Sequence, residues 1–113
     1  PNPIVIAYVV RRGTRHELRV IEGNGDGDRL VDPDVAPVRP AWRADTQALA
    51  YAVRGGARIA AYPALTARAT LAAPRGVAAL AYAPAGDRLA VAGAGASGAV
   101  GISAAGGPVA WST

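Results

Sequence analysis

The chain contains no cysteine, lysine, methionine or phenylalanine, and a single histidine. Without cysteine there are no disulfides, no thiolate metal sites and no cysteine nucleophile, and any redox compartment is compatible with the chain. One histidine removes every metal site built on a histidine pair, and any Ser-His-Asp triad would have to use it. That residue, His16, lies among Arg12, Arg15 and Arg19 on a hairpin, where an exposed turn histidine is expected rather than a catalytic base. Glu17 and Glu22 are the only glutamates. Their odd separation on one extended strand puts them on opposite faces, which does not suit a paired acid and base. No apolar run approaches the roughly 20 residues of a transmembrane helix, and no signal-peptide pattern opens the chain. Methionine is missing at position 1 as well, as expected of a segment processed or excised from a longer protein. No set of nucleophile, base and orienting group can be assembled, so the expectation is a non-enzymatic chain that holds no cofactor and no metal.

What is present is a 113-residue chain with room for one domain, 51% hydrophobic, with 14 glycines and 9 prolines. That hydrophobic fraction excludes disorder. Much of it is alanine, which fills little volume, so a core must come from closely approaching layers. The net charge of +4 is carried entirely by arginine. It reads either as a surface that attracts anions or as the codon bias of a G- and C-rich genome, which favours Ala, Arg, Gly and Pro alike.

The chain repeats itself at a spacing of about 40 residues, the length of one four-stranded propeller blade. Ile6-Ala7-Tyr8-Val9-Val10-Arg11-Arg12-Gly13 resembles Leu49-Ala50-Tyr51-Ala52-Val53-Arg54-Gly55-Gly56, and Leu89-Ala90-Val91-Ala92-Gly93 is a third copy. Between them, Arg39-Pro40-Ala41-Trp42-Arg43-Ala44-Asp45 echoes Ala79-Leu80-Ala81-Tyr82-Ala83-Pro84-Ala85. Short apolar runs bounded by turn residues predict strands at 4–11, 17–22 and 29–31, then 38–43, 48–53, 58–62 and 68–72. A third set follows at 77–83, 88–92 and 99–103, with a last run at 109–112. Alanine favours helix, but glycine or proline interrupts nearly every ten residues, which leaves no run long enough for one. The fold class is therefore all-β, a partial propeller of about three four-stranded antiparallel blades, at about 3–35, 37–74 and 76–108, with 109–113 a terminal strand.

The segments Pro40-Ala41-Trp42-Arg43-Ala44-Asp45 and Ala81-Tyr82-Ala83-Pro84-Ala85-Gly86-Asp87-Arg88-Leu89 resemble the bacterial TolB-like, WD-like propeller repeat. In that family an Ala-Trp strand runs into a Ser-Pro-Asp-Gly turn and a second apolar strand. Trp42, Tyr82 and Trp111 are the matching aromatic positions. The first turn departs by losing serine, proline and glycine, which predicts a looser hairpin at 43–47. The resemblance implies a protein-interaction, sensor or scaffold module, read here as part of a larger extracytoplasmic protein. Such repeats serve many roles, so it specifies fold rather than partner.

The remaining constellations are loops. Asn24-Gly25-Asp26-Gly27-Asp28 imitates the start of a calcium loop, but Arg29 and Val35 stand where glycine and the closing glutamate belong, and a tight turn is expected. The glycine-rich 93–98 stretch lacks the Lys-Ser/Thr ending of a phosphate loop. In a propeller the loops alternate between the two ends of the sheets. Arg11, Arg12, Arg15, Arg54, Arg58 and Arg75 then form a candidate interaction face at one end. Asp26, Asp28, Asp45 and Asp87 gather at the other, and Asp32 and Asp34 fall among the arginines. Such a basic face suits an acidic protein partner. The alternative is a nucleic-acid-associated module, which lacks the interleaved aromatics of single-strand binders. Three blades do not close a ring. Either Val109-Ala110-Trp111-Ser112 is a first strand exchanged with a second copy in a six-bladed homodimer, or it is the fourth strand of blade three.

Overall fold

The structure is a computed structural model that describes residues 5–74, 76–84, 88–94, 100–104 and 107–112, with 111 and 112 described by their backbone alone. Its elements are all strands, and among the described residues there is no helix. None, therefore, is long and apolar enough to cross a membrane. The first sheet joins β1 (Val5–Arg12), β2 (Arg15–Glu22) and β3 (Arg29–Asp32) in that order. The second orders β4 (Ala41–Trp42), β5 (Ala48–Val53), β6 (Gly56–Ala61) and β7 (Thr66–Ala72). The third orders β8 (Val77–Tyr82), β9 (Arg88–Gly93), β10 (Val100–Ala104) and β11 (Ala110–Ser112). Every pairing is antiparallel between strands consecutive in sequence.

Register makes the repeat explicit. Ala41 and Trp42 of β4 lie opposite Ala50 and Leu49, and Ala81 and Tyr82 of β8 lie opposite Ala90 and Leu89. Trp42 and Tyr82 thus hold equivalent positions on neighbouring sheets, as expected. In the first sheet β1 corresponds to β5, not to β4, so its sequence-matched Ile6 and Ala7 have no strand on their other side among the described residues.

Trp111 does not belong to this set. β11 pairs with β10 through Gly101↔Trp111, which makes it the fourth strand of its own sheet. With its ladder bonds made there, β11 is not a strand to exchange, and the structure takes the second of the two placements. The strand expected over 38–43 is also shorter, only Ala41–Trp42. Proline has no N–H to give a ladder, and Pro37 and Pro40 restrict pairing to the residues after them.

The sheets stack with the second in the middle. Alternate residues of a strand face opposite ways. Tyr51, Leu49 and Val53 therefore pack toward the first sheet with Leu18, Val20, Ala7 and Val9. Ala50, Ala52 and Ala57 pack toward the third with Leu89, Val91 and Val77. Covered on both sides, all six residues of β5 are buried. The alanines do what composition anticipated: they leave room for the larger side chains of the next sheet.

Loops confirm the turn chemistry. Residues 22–26 close as a turn, with Glu22 N–H donating to Asp26 O at 2.9 Å and Asp26 N–H donating to Asn24 Oδ1 at 2.9 Å. The 43–47 hairpin is not loose. Arg43 N–H donates to Ala48 O at 2.9 Å, Thr46 N–H to Arg43 O at 2.9 Å, and Gln47 N–H to Asp45 Oδ1 at 3.0 Å. The side chain of Asp45 and a positive φ of 61° at Thr46 replace the missing glycine.

Candidate basic groove

The β1–β2 and β5–β6 hairpins lie at the same end of their sheets, because one connecting segment touches both. Val35 N–H donates to His16 O and Ala36 N–H to Ala52 O, each at 2.9 Å. Arg11, Arg12 and Arg15 sit on the first hairpin and Arg54 on the second, all exposed. Four of the six arginines of the candidate face are thereby brought to one end. Arg75 lies outside the described residues.

Arg58 lies two residues into β6 from the second of these hairpins and is already paired within the chain. Its position on β6, opposite Tyr51, turns its side chain toward the first sheet. There it donates to Asp32 Oδ2 at 2.7 Å, and that carboxylate is itself buried. Tyr51 completes the cluster: burial, then the negative charge of Asp32, raises its phenol pKa above 10.0. A charge removed from water needs a partner of this kind, so the three residues tie sheet to sheet. Asp32 was expected as an anomalous acid among arginines; it is the partner of one of them.

The same motif recurs on the first sheet with a different acid. Tyr8 lies opposite Arg19, as Tyr51 lies opposite Arg58. Here Tyr8 Oη donates to Asp28 Oδ1 at 2.7 Å, and Arg19 Nε donates to the same oxygen at 3.2 Å. The hydrogen bond from Tyr8, then that from Arg19, holds Asp28 below the ordinary carboxylate value of 3.8. Asp28 is thus held by Tyr8 and Arg19 of its own sheet. Among the described residues no group of three or more His, Asp or Glu side chains converges.

Beside the arginine end, an open groove of about 440 Å³ runs between β1 and the proline-rich segment that leads into β4. Its apolar lining comes from Ala7, Val9, Pro37 and Val38, and Arg11 and Arg39 border it. Its volume is in the range of ligand-binding clefts. The groove runs along β1, whose second edge carries no strand among the described residues. Arg39 was missing from the candidate arginines although it lies in a connection between sheets. The loop-alternation rule that gathered the others puts it at the same end. The groove supplies apolar lining, guanidinium donors and a strand edge with no neighbouring strand among the described residues, and His16 is the one imidazole that lines it.

No family model matches the sequence, and no curated protein matches it.

Proposed function

We propose that the chain is a propeller-type interaction module whose basic groove receives an extended, acidic segment of a partner protein. The observation that carries this reading is the coincidence of the groove with an open strand edge. An unpaired edge offers backbone donors and acceptors in register, and peptide recognition by strand addition uses such a row. The second and third sheets supply the pattern of the missing strand. An alanine lies opposite Ala50 or Ala90, and an aromatic residue opposite Leu49 or Leu89. An incoming strand therefore places a small residue against Ala7 and an aromatic one against Ile6. Arg11 and Arg39 select acidic flanks, because like charges at the groove mouth would repel. The propeller reading itself is supported by the repeat and by a middle sheet covered on both faces.

The test is fluorescence titration of the 113-residue chain with an extended peptide carrying an Ala-Trp core and acidic flanks. A peptide of the same core with basic flanks serves as comparison. The acidic peptide should bind, and the Arg11→Ala, Arg39→Ala double variant should bind it about tenfold more weakly, as two partly exposed ion pairs imply. Equal binding of both peptides would reject the charge argument. Binding of single-stranded nucleic acid alone, with affinity falling steeply as salt rises, would replace the proposal with the nucleic-acid reading.

A further inference from the structure

Among the described residues, the outer face of the third sheet is apolar and has no sheet over it. Register places Ala90 opposite Ile102 and Ala92 opposite Val100 on that face. Ile102 is 43% exposed and Val100 47%. In the second sheet the same positions are Ala50 opposite Ile59 and Ala52 opposite Ala57, and these pack beneath the third sheet. In the first sheet they are Ala7 opposite Val20 and Val9 opposite Leu18, which pack beneath the second. One face of the first and of the second sheet is thus covered by the next, and the matching face of the third has no such cover among the described residues.

The covering face is equally regular. Leu49, Tyr51 and Val53 of the second sheet cover the first, with Arg58 opposite Tyr51. The first sheet presents Ile6, Tyr8 and Val10 on its own uncovered face, with Arg19 opposite Tyr8. Ile6 there is 50% exposed. We infer that these two open faces bind each other between two copies of the chain, the third sheet of each receiving the first sheet of the other.

The charges agree with this pairing. Within the chain, Arg58 takes its carboxylate from the neighbouring sheet, at Asp32. The third-sheet position equivalent to Asp32 is Ser112, since Ser112 lies opposite Val100 as Asp32 lies opposite Leu18. A second copy therefore offers no acid there. None is needed, because Arg19 already holds Asp28 of its own sheet at 3.2 Å. The contact is head-to-tail, and two copies make it twice. The six described sheets so joined fall within the about four to eight of a closed propeller ring. This inference rests on the propeller reading and its sheet stacking, not on the groove, so a failure of peptide binding leaves it intact.

Sedimentation velocity and light scattering on the full chain test it, with circular dichroism to verify the fold. The parent chain should have twice its 11.3 kDa mass. Ile102→Asp and Ile6→Asp, both at exposed positions, should each give monomers, and Ile102→Ser and Ile6→Ser should weaken the dimer at least tenfold. An equimolar mixture of the two aspartate variants retains one unaltered contact and should recover dimer, which a symmetric contact of like faces cannot do. A parent chain that stays monomeric with its β signal intact would overturn the inference. So would a dimer that survives Ile6→Asp, or open-ended growth with concentration.

Discussion

Thr46→Gly should stabilise the protein. Thr46 occupies the left-handed region at φ 61°, where the side chain of an L-residue crowds the following carbonyl at a cost of about 1–2 kcal/mol. A β-branched residue lies at the costly end of that range. Glycine removes the strain but widens the unfolded ensemble, which costs about 0.4–1 kcal/mol. The turn itself is unaffected, because the bonds that close it are made by the backbone of residues 43, 46, 47 and 48 and by Asp45. The net gain is about 1 kcal/mol, or roughly 4 °C in melting temperature for a chain of this size. The reverse change supplies the control. Gly55 has φ 77° and open space where a Cβ would stand. Gly55→Ala should therefore lose about 1 kcal/mol from backbone strain alone. Thermal unfolding followed by circular dichroism reads both. A Thr46→Gly chain that melts at or below the parent temperature, beside a Gly55→Ala chain that is destabilised, would refute the reasoning about the turn.

Gly56→Ala, one residue further on, should be far more damaging and for a different reason. An added Cβ would stand 2.0 Å from Leu71 O, so β6 and β7 must part; a loss of at least about 3 kcal/mol by denaturant titration is expected. Alkali should destabilise the protein through Tyr51. Its folded-state pKa is raised, by burial first and then by Asp32. Its contribution is therefore complete below the unfolded value of 10.0 and is lost as pH rises through the folded value. Melting temperatures between pH 8 and pH 12 should fall less steeply in Tyr51→Phe than in the parent, and a parallel pair of curves would refute the assignment.

The strands were legible because turn residues bracket them. Glycine and proline fixed where pairing stops, and the strand at 48–53 agrees with the structure to the residue. Where the reading failed, pairing rather than propensity decided. Val109-Ala110-Trp111-Ser112 repeats the small-aromatic pattern of β4 and β8, yet the antiparallel turn after β10 leaves it beside β10. Local composition does not carry strand order. The ion pair of Arg58 was hidden for a related reason. A strand residue next to a hairpin reads as a loop charge until its cross-strand partner is known, and Tyr51 is that partner. The Tyr–Arg pair recurs at Tyr8 and Arg19, but the two hairpins differ in length between aromatic and arginine, so the recurrence is invisible to a fixed sequence offset. The groove was invisible for another reason. The expected strands already number three in the first set against four in the second, as the sheets do, but how the 37–40 segment lies along β1 is a matter of tertiary packing.

The two internal interfaces also explain how one repeat tolerates such different side chains. Between the first and second sheets, Asp32 faces Arg58 and Tyr51. At the equivalent positions between the second and third, Leu71 stands for Asp32 and Val91 opposite Gly101 for Tyr51 opposite Arg58. All the described members of that second set are buried, and none is charged. The exchange is concerted: an acid is present where an arginine approaches it, and a leucine where the arginine has become glycine. Either half alone would be unfavourable. Leucine against Arg58 would leave a part-exposed guanidinium without its carboxylate, at a cost of up to about 1 kcal/mol, and aspartate in place of Leu71 would bury an unpaired charge, costing several kcal/mol. Polar and apolar solutions of this size are nearly equal in stability when complete, so what they add is discrimination. A sheet carrying the arginine is matched to a sheet that answers it, and the order of the sheets along the chain is the order in which these pairs agree.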